Sequence, residues 1–180
     1  MPFSLPRWAR ATTDSIAIIL LAFSISVLVE SPFGSVGMIL TIAIAPIAEE
    51  LSKSFAIAFV LGKKRTTRQS TAVGLVAGLG FGIAETVLIY PSAIVIRIFT
   101  SIPLHTGTGG IDGYAVGSRR YWIIAGAIGT HSIYNSIANS GIEPDLILVA
   151  LVAFSSVAVV CLYLVGSKPA NHQERDTGPQ

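Results

Sequence analysis

The sequence predicts an all-α, polytopic membrane helix bundle of about six transmembrane helices, the fourth of them glycine-rich and broken. Three observations predict it. Of the 180 residues, 52% are hydrophobic and only 12% charged, about half the ~25% charged share of ordinary soluble domains. The apolar residues fall in runs close to the ~20 needed to cross a bilayer, separated by short polar corners. The cations collect at every second corner, as cytoplasmic loops require.

The runs lie near Ser15–Val29, Gly34–Gly62, Ser70–Tyr90, Ser92–Gly117, Tyr121–Asn139 and Asp145–Val165. The first is read as an anchor, because no clear small-residue cleavage site follows Val29. Glycines 74, 78 and 82 of the third run lie four apart, on one helix face, which suits close approach of a neighbouring backbone. The fourth run holds Pro103 and then His105-Thr-Gly-Thr-Gly-Gly-Ile-Asp-Gly, and so much glycine predicts an interrupted helix lining a cavity. That glycine run has no Lys-Ser/Thr ending, so it is not read as a phosphate loop. Residues 1–167 form one membrane domain, and the polar stretch 168–180 reads as a disordered cytoplasmic tail.

Arg7, Arg10, Lys63, Lys64, Arg65, Arg68, Arg119, Arg120, Lys168 and Arg175 all fall on one side if both termini are cytoplasmic. This predicts a multi-pass cell-membrane protein with lipid as its constant partner. The net charge of +2 then needs no nucleic-acid partner, because the basic residues sit where topology already requires them. A lone Cys161 excludes an intramolecular disulfide and a thiolate metal cluster.

Glu49, Glu50, Lys53, Glu85, Arg97, His105, His131 and Asn135 interrupt the apolar runs, although one charge at mid-bilayer costs roughly 2.5 kcal/mol or more. At ~1.5 Å rise per residue, Glu49, Glu50, Glu85, His105 and His131 all lie about 15–22 Å from the cytoplasmic side of a ~30 Å core. Four helices thus deliver ionisable groups to one layer. Lys53 stands three and four residues beyond the two glutamates and can reach either one along the helix face. Glu49 and Glu50 point about 100° apart, so their roles need not be equal. His131 and Asn135 share a face, placing Asn135 where it can orient the imidazole or meet a substrate carbonyl. Arg97 lies near the outer end of its run and is read as snorkelling, without chemistry.

Glu49-Glu50-Leu-Ser-Lys53 matches EExxK, Phe81-Gly-Ile-Ala-Glu85 matches FxxxE, and His131-Ser-Ile-Tyr-Asn135 matches HxxxN. With His105 and the glycines after it, this order of motifs resembles the PrsW family of intramembrane proteases, relatives of the CAAX prenyl endopeptidases and the bacterial Abi membrane proteins. Lys53 and Glu85 favour the PrsW side, since the relatives carry an Arg after the glutamate pair and a His in the second motif. The resemblance implies hydrolysis of a peptide bond in a membrane-associated protein substrate. Glu49, Glu50, Glu85 and His131 are the candidate catalytic residues, with Lys53, His105 and Asn135 in support. Glu49 is expected to act as base towards water, with His131 and Asn135 stabilising the oxyanion. Whether a divalent metal such as zinc takes part is left open; Glu49, Glu85, His105 and His131 are the candidate ligands. Two other classes use the same residues: a proton- or ion-coupled transporter, and a non-catalytic membrane scaffold.

Overall fold

The computed structural model describes residues 7–32, 37–62 and 66–140. They form six α-helices: α1 (Arg7–Glu30), α2 (Ala45–Leu61), α3 (Thr67–Leu88), α4 (Ile94–Phe99), α5 (Ser101–Ser118) and α6 (Ile124–Asn139). A π-helical turn, Leu40–Ile44, leads into α2, and 3-10 turns at Pro91–Ala93 and Tyr121–Ile123 precede α4 and α6. Among the described residues there is no strand. Two segments, Thr12–Glu30 and Thr67–Leu88, are long and apolar enough to cross a membrane. The expected last span Asp145–Val165, Cys161 within it and the tail 168–180 fall outside the described residues.

The helices bury many polar residues and turn many of their large apolar ones outward. On α2, Ile47, Leu51, Phe55 and Phe59 recur four apart and are 44–71% exposed, while Glu49, Glu50 and Lys53 are no more than 5% exposed. On α3, Val76, Leu79, Ile83 and Val87 form a second exposed apolar stripe, opposite the buried Gly74, Ala77, Gly78 and Phe81. A surface of this kind would be costly in water and is suited to hydrocarbon, where an apolar exterior carries no penalty.

α3 and α5 run antiparallel in close contact. A β-carbon on Gly74 would lie 2.2 Å from the Gly109 carbonyl oxygen, one on Gly78 2.0 Å from that of His105, and one on Gly113 2.2 Å from that of Ser70. The glycine face expected on α3 is therefore met by a matching one on α5, with glycines at 109, 113 and 117. This corrects the expectation of an irregular glycine run: Ser101–Ser118 is continuous α-helix. The interruption falls earlier, at Thr100 (φ −122°, ψ −71°), between α4 and α5. Pro103 accounts for that position. In an unbroken helix its ring would meet the carbonyl of residue 99, whereas in the first turn of a new helix its missing N–H is no loss. Tyr134 donates its hydroxyl proton to Thr100 Oγ1 at 2.9 Å, tying the break to α6.

This packing carries a prediction. Gly78→Ala brings a methyl group against backbone rather than a movable side chain, so α5 must shift and take His105 with it. The expected loss is about 1–3 kcal/mol of stability, read as a lower unfolding temperature of the purified protein in detergent. An unchanged midpoint would mean that the helices are not held this close.

Candidate metal centre

α2, α3, α5 and α6 bring the predicted ionisable residues together. Glu50 is completely buried and surrounded: Lys53 Nζ lies 2.6 Å from its Oε2, Thr108 Oγ1 donates to its Oε1 at 3.2 Å, and His131 Nδ1 lies 2.7 Å from the same oxygen. Lys53, also fully buried, donates to Thr108 Oγ1 at 3.1 Å and lies 5.4 Å from the Phe81 ring centre. Of the two carboxylates it can reach along α2, Lys53 takes Glu50. Glu49 is left facing the histidines.

Glu85 performs for His105 what Glu50 performs for His131. Its Oε2 lies 2.8 Å from His105 Nε2 and also pairs with Arg97. Arg97 Nε donates to Thr86 Oγ1 at 3.1 Å, and its guanidinium stacks over Tyr90 at 4.4 Å. The snorkelling reading of Arg97 is thereby corrected. The turn at Pro91–Ala93 folds α4 back over α3, so a residue near the end of its run in sequence lies beside Glu85 in space.

With one nitrogen of each imidazole against a carboxylate, the other nitrogens converge. His105 Nδ1 is 3.8 Å and His131 Nε2 3.9 Å from the same atom, Glu49 Oε2, and the three atoms lie within 4.8 Å of one another. The imidazoles meet edge to face, with ring centres 4.8 Å apart. Each ring donates its N–H to the carboxylate beside it, so the inward-facing nitrogens present lone pairs. Glu49 Oε2 and His105 Nδ1 are buried without a hydrogen-bond partner. Three acceptors aimed at one another are unfavourable unless a cation or shared protons lie between them. Separations of 3.8–3.9 Å are too long for direct hydrogen bonds; each can be spanned by two bonds of about 2.0–2.2 Å meeting at one ion, provided the rings draw in so that the widest separation of the three, up to 4.8 Å, closes around it. Two imidazoles and a carboxylate, with a fourth position open, form a donor set used by catalytic zinc. Each histidine is backed by a carboxylate of the kind that orients metal-ligating imidazoles.

Of the four candidate ligands in the sequence, Glu49, His105 and His131 can hold a metal ion together, and Glu85 stands behind His105. Asn135 is further off: its Nδ2 donates to the Thr41 backbone carbonyl at 2.8 Å. It lines a polar cavity of about 380 Å3 that also reaches Glu85, Arg97, Tyr90, Thr41 and Glu30. Sequence reasoning passed over Thr108 and Asp112, three and seven residues beyond His105 and so on its face of α5. Asp112 is fully buried, its two oxygens are left without a hydrogen-bond partner, and it lies beside Glu50 and Lys53.

The support behind His105 can be tested by removing Glu85. Glu85→Ala takes away the acceptor that fixes the ring and its tautomer. Zinc titration of the purified protein is expected to show about 10–100-fold weaker binding, and wild-type affinity would mean that the ring needs no such partner.

Fold and site define a class: a helical bundle adapted to lipid, with a buried carboxylate–histidine centre able to hold a metal. Within that class the chain belongs to the PrsW family of intramembrane metalloproteases, whose family model matches residues 8–165. No curated protein and no solved structure matches the chain.

Proposed function

We propose that this protein is a multi-pass peptidase of the cell membrane, both termini cytoplasmic, that hydrolyses a peptide bond in a membrane-associated protein at the Glu49–His105–His131 centre. The observation carrying this reading is the convergence of three buried acceptor atoms from α2, α5 and α6, each imidazole backed by its own carboxylate. Family membership supports proteolysis as the reaction. Zinc is the ion this donor set suits best.

A zinc ion held by Glu49, His105 and His131 would lower the pKa of a bound water and polarise the substrate carbonyl. The remaining work falls to side chains. Glu50 and Glu85 hold the imidazoles in the tautomers that leave Nε2 of His131 and Nδ1 of His105 facing inward. Lys53 balances Glu50, and Arg97 balances Glu85, so that neither supporting carboxylate competes for the centre. The other Glu49 oxygen, Oε1, takes the proton from water as the water oxygen bonds to the carbonyl carbon. The same proton goes to the amide nitrogen as the C–N bond breaks, leaving a carboxyl terminus and a free amine. The polar cavity beside Glu85 gives an extended substrate backbone a wet approach to the centre.

The test compares new protein N-termini in membranes of cells expressing wild type or His131→Ala at matched levels. Termini produced by wild type alone are expected, and they would identify the substrate. Identical sets from both, with the variant folded, would remove the peptidase reading.

A further inference from the structure

The entry to α2 has a defect in its backbone hydrogen bonding. In the π-helical turn Leu40–Ile44 the bonds run from residue i+5 to residue i, and Ala45 N–H accordingly donates to the Leu40 carbonyl. The next carbonyl in that register, Thr41, would accept from residue 46. Residue 46 is proline and has no N–H. The Thr41 carbonyl therefore lacks its helical partner at the start of the helix that carries Glu49, three residues after Pro46. A partly buried backbone acceptor left without a partner costs free energy. Asn135 Nδ2, from α6, donates to this oxygen at 2.8 Å.

We infer that Asn135 supplies the donor that Pro46 lacks, and that it is a positioning residue joining the Glu49 helix to the His131 helix. Asn135 stands one turn beyond His131 on α6, and Thr41 stands two turns before Glu49. The bond between them fixes the separation across which Glu49 Oε2 and His131 Nε2 face each other at 3.9 Å. One N–H of the amide goes to the Thr41 carbonyl, and the second is left for the expected part in stabilising an oxyanion. A π-turn closed by proline also explains why a donor such as asparagine serves here: the acceptor is a lone carbonyl that a side chain of another helix can reach.

The metal arm of the test rests on the centre proposed above, whereas the folding arm does not. Zinc affinity and unfolding midpoint are measured on the purified full chain in detergent for wild type, Asn135→Ala, Pro46→Ala and the double variant. Pro46→Ala restores a backbone N–H at position 46, so it should make Asn135 dispensable. Asn135→Ala is expected to bind zinc at least tenfold more weakly and to unfold at lower temperature. Pro46→Ala should stay within about twofold of wild type in affinity, and the double variant should recover most of both losses. If Asn135→Ala does not fold, the double variant must fold. A double variant as impaired as Asn135→Ala, or an Asn135→Ala protein with wild-type affinity and midpoint, would overturn the inference. If wild type itself fails to bind zinc, the proposed centre falls while the midpoints still decide the role of Asn135.

Discussion

Glu49→Gln is expected to lose about a thousandfold or more in turnover while the protein folds as well as wild type. The substitution keeps the shape of the side chain and removes both its charge and its basicity. A positioned base contributes about 10²–10⁴-fold by itself, and loss of a ligand from a three-donor centre adds to that. Stability is expected to move the other way. Glu49 Oε2 makes no hydrogen bond that the change would break, and Glu50 and Glu85 stand nearby as like charges. The metal-free variant should therefore unfold at the temperature of metal-free wild type or above it. The stabilisation that zinc gives wild type, which follows from binding the folded state alone, should be absent. Turnover within tenfold of wild type would remove Glu49 from the chemistry.

Lys53→Met is expected to have the largest effect on folding. Lys53 and Glu50 are both completely buried with charged atoms 2.6 Å apart, and methionine leaves the carboxylate without its cation. Breaking one side of a buried pair costs about 3–5 kcal/mol, because the remaining charge is uncompensated. Thr108 loses the proton donor that orders its hydroxyl towards Glu50. The double variant Glu50→Gln/Lys53→Met removes the stranded charge and should regain more than half of the loss. Unfolding by titration with a denaturing detergent measures all three. A Lys53→Met protein within about 1 kcal/mol of wild type would show that the buried Glu50 carboxylate does not depend on Lys53.

The polar layer was legible because charged residues in apolar runs are expensive, and helical rise alone placed Glu49, Glu50, Glu85, His105 and His131 at similar depth. The unequal environments of Glu49 and Glu50 follow from the 100° step between neighbours on a helix. Other features depend on partners that a linear reading cannot see. The glycines of α5 look unfit for a helix when α5 is taken alone, because glycine propensity describes an isolated helix. Packed on Gly74 and Gly78 of α3, the same glycines permit a contact that no larger residue would. Arg97 was placed by its distance along the run, but the 3-10 turn at Pro91–Ala93 reverses that distance. The division of four candidate ligands into three around the centre and one behind His105 depends on which ring nitrogen meets which carboxylate, and sequence spacing holds no such information. Asp112 had a signal that was available and unused: it stands seven residues after His105 and four after Thr108, on one face of α5.

The most direct test of the Glu49–His105–His131 centre is the metal content of purified protein, taken together with cleavage of a substrate found by the N-terminus comparison. One divalent ion per folded chain is predicted for wild type. Stripping it with chelator should abolish cleavage, and adding back one equivalent of zinc should restore it, with neither result seen in His105→Ala. Full cleavage by folded, metal-free wild type would contradict the account.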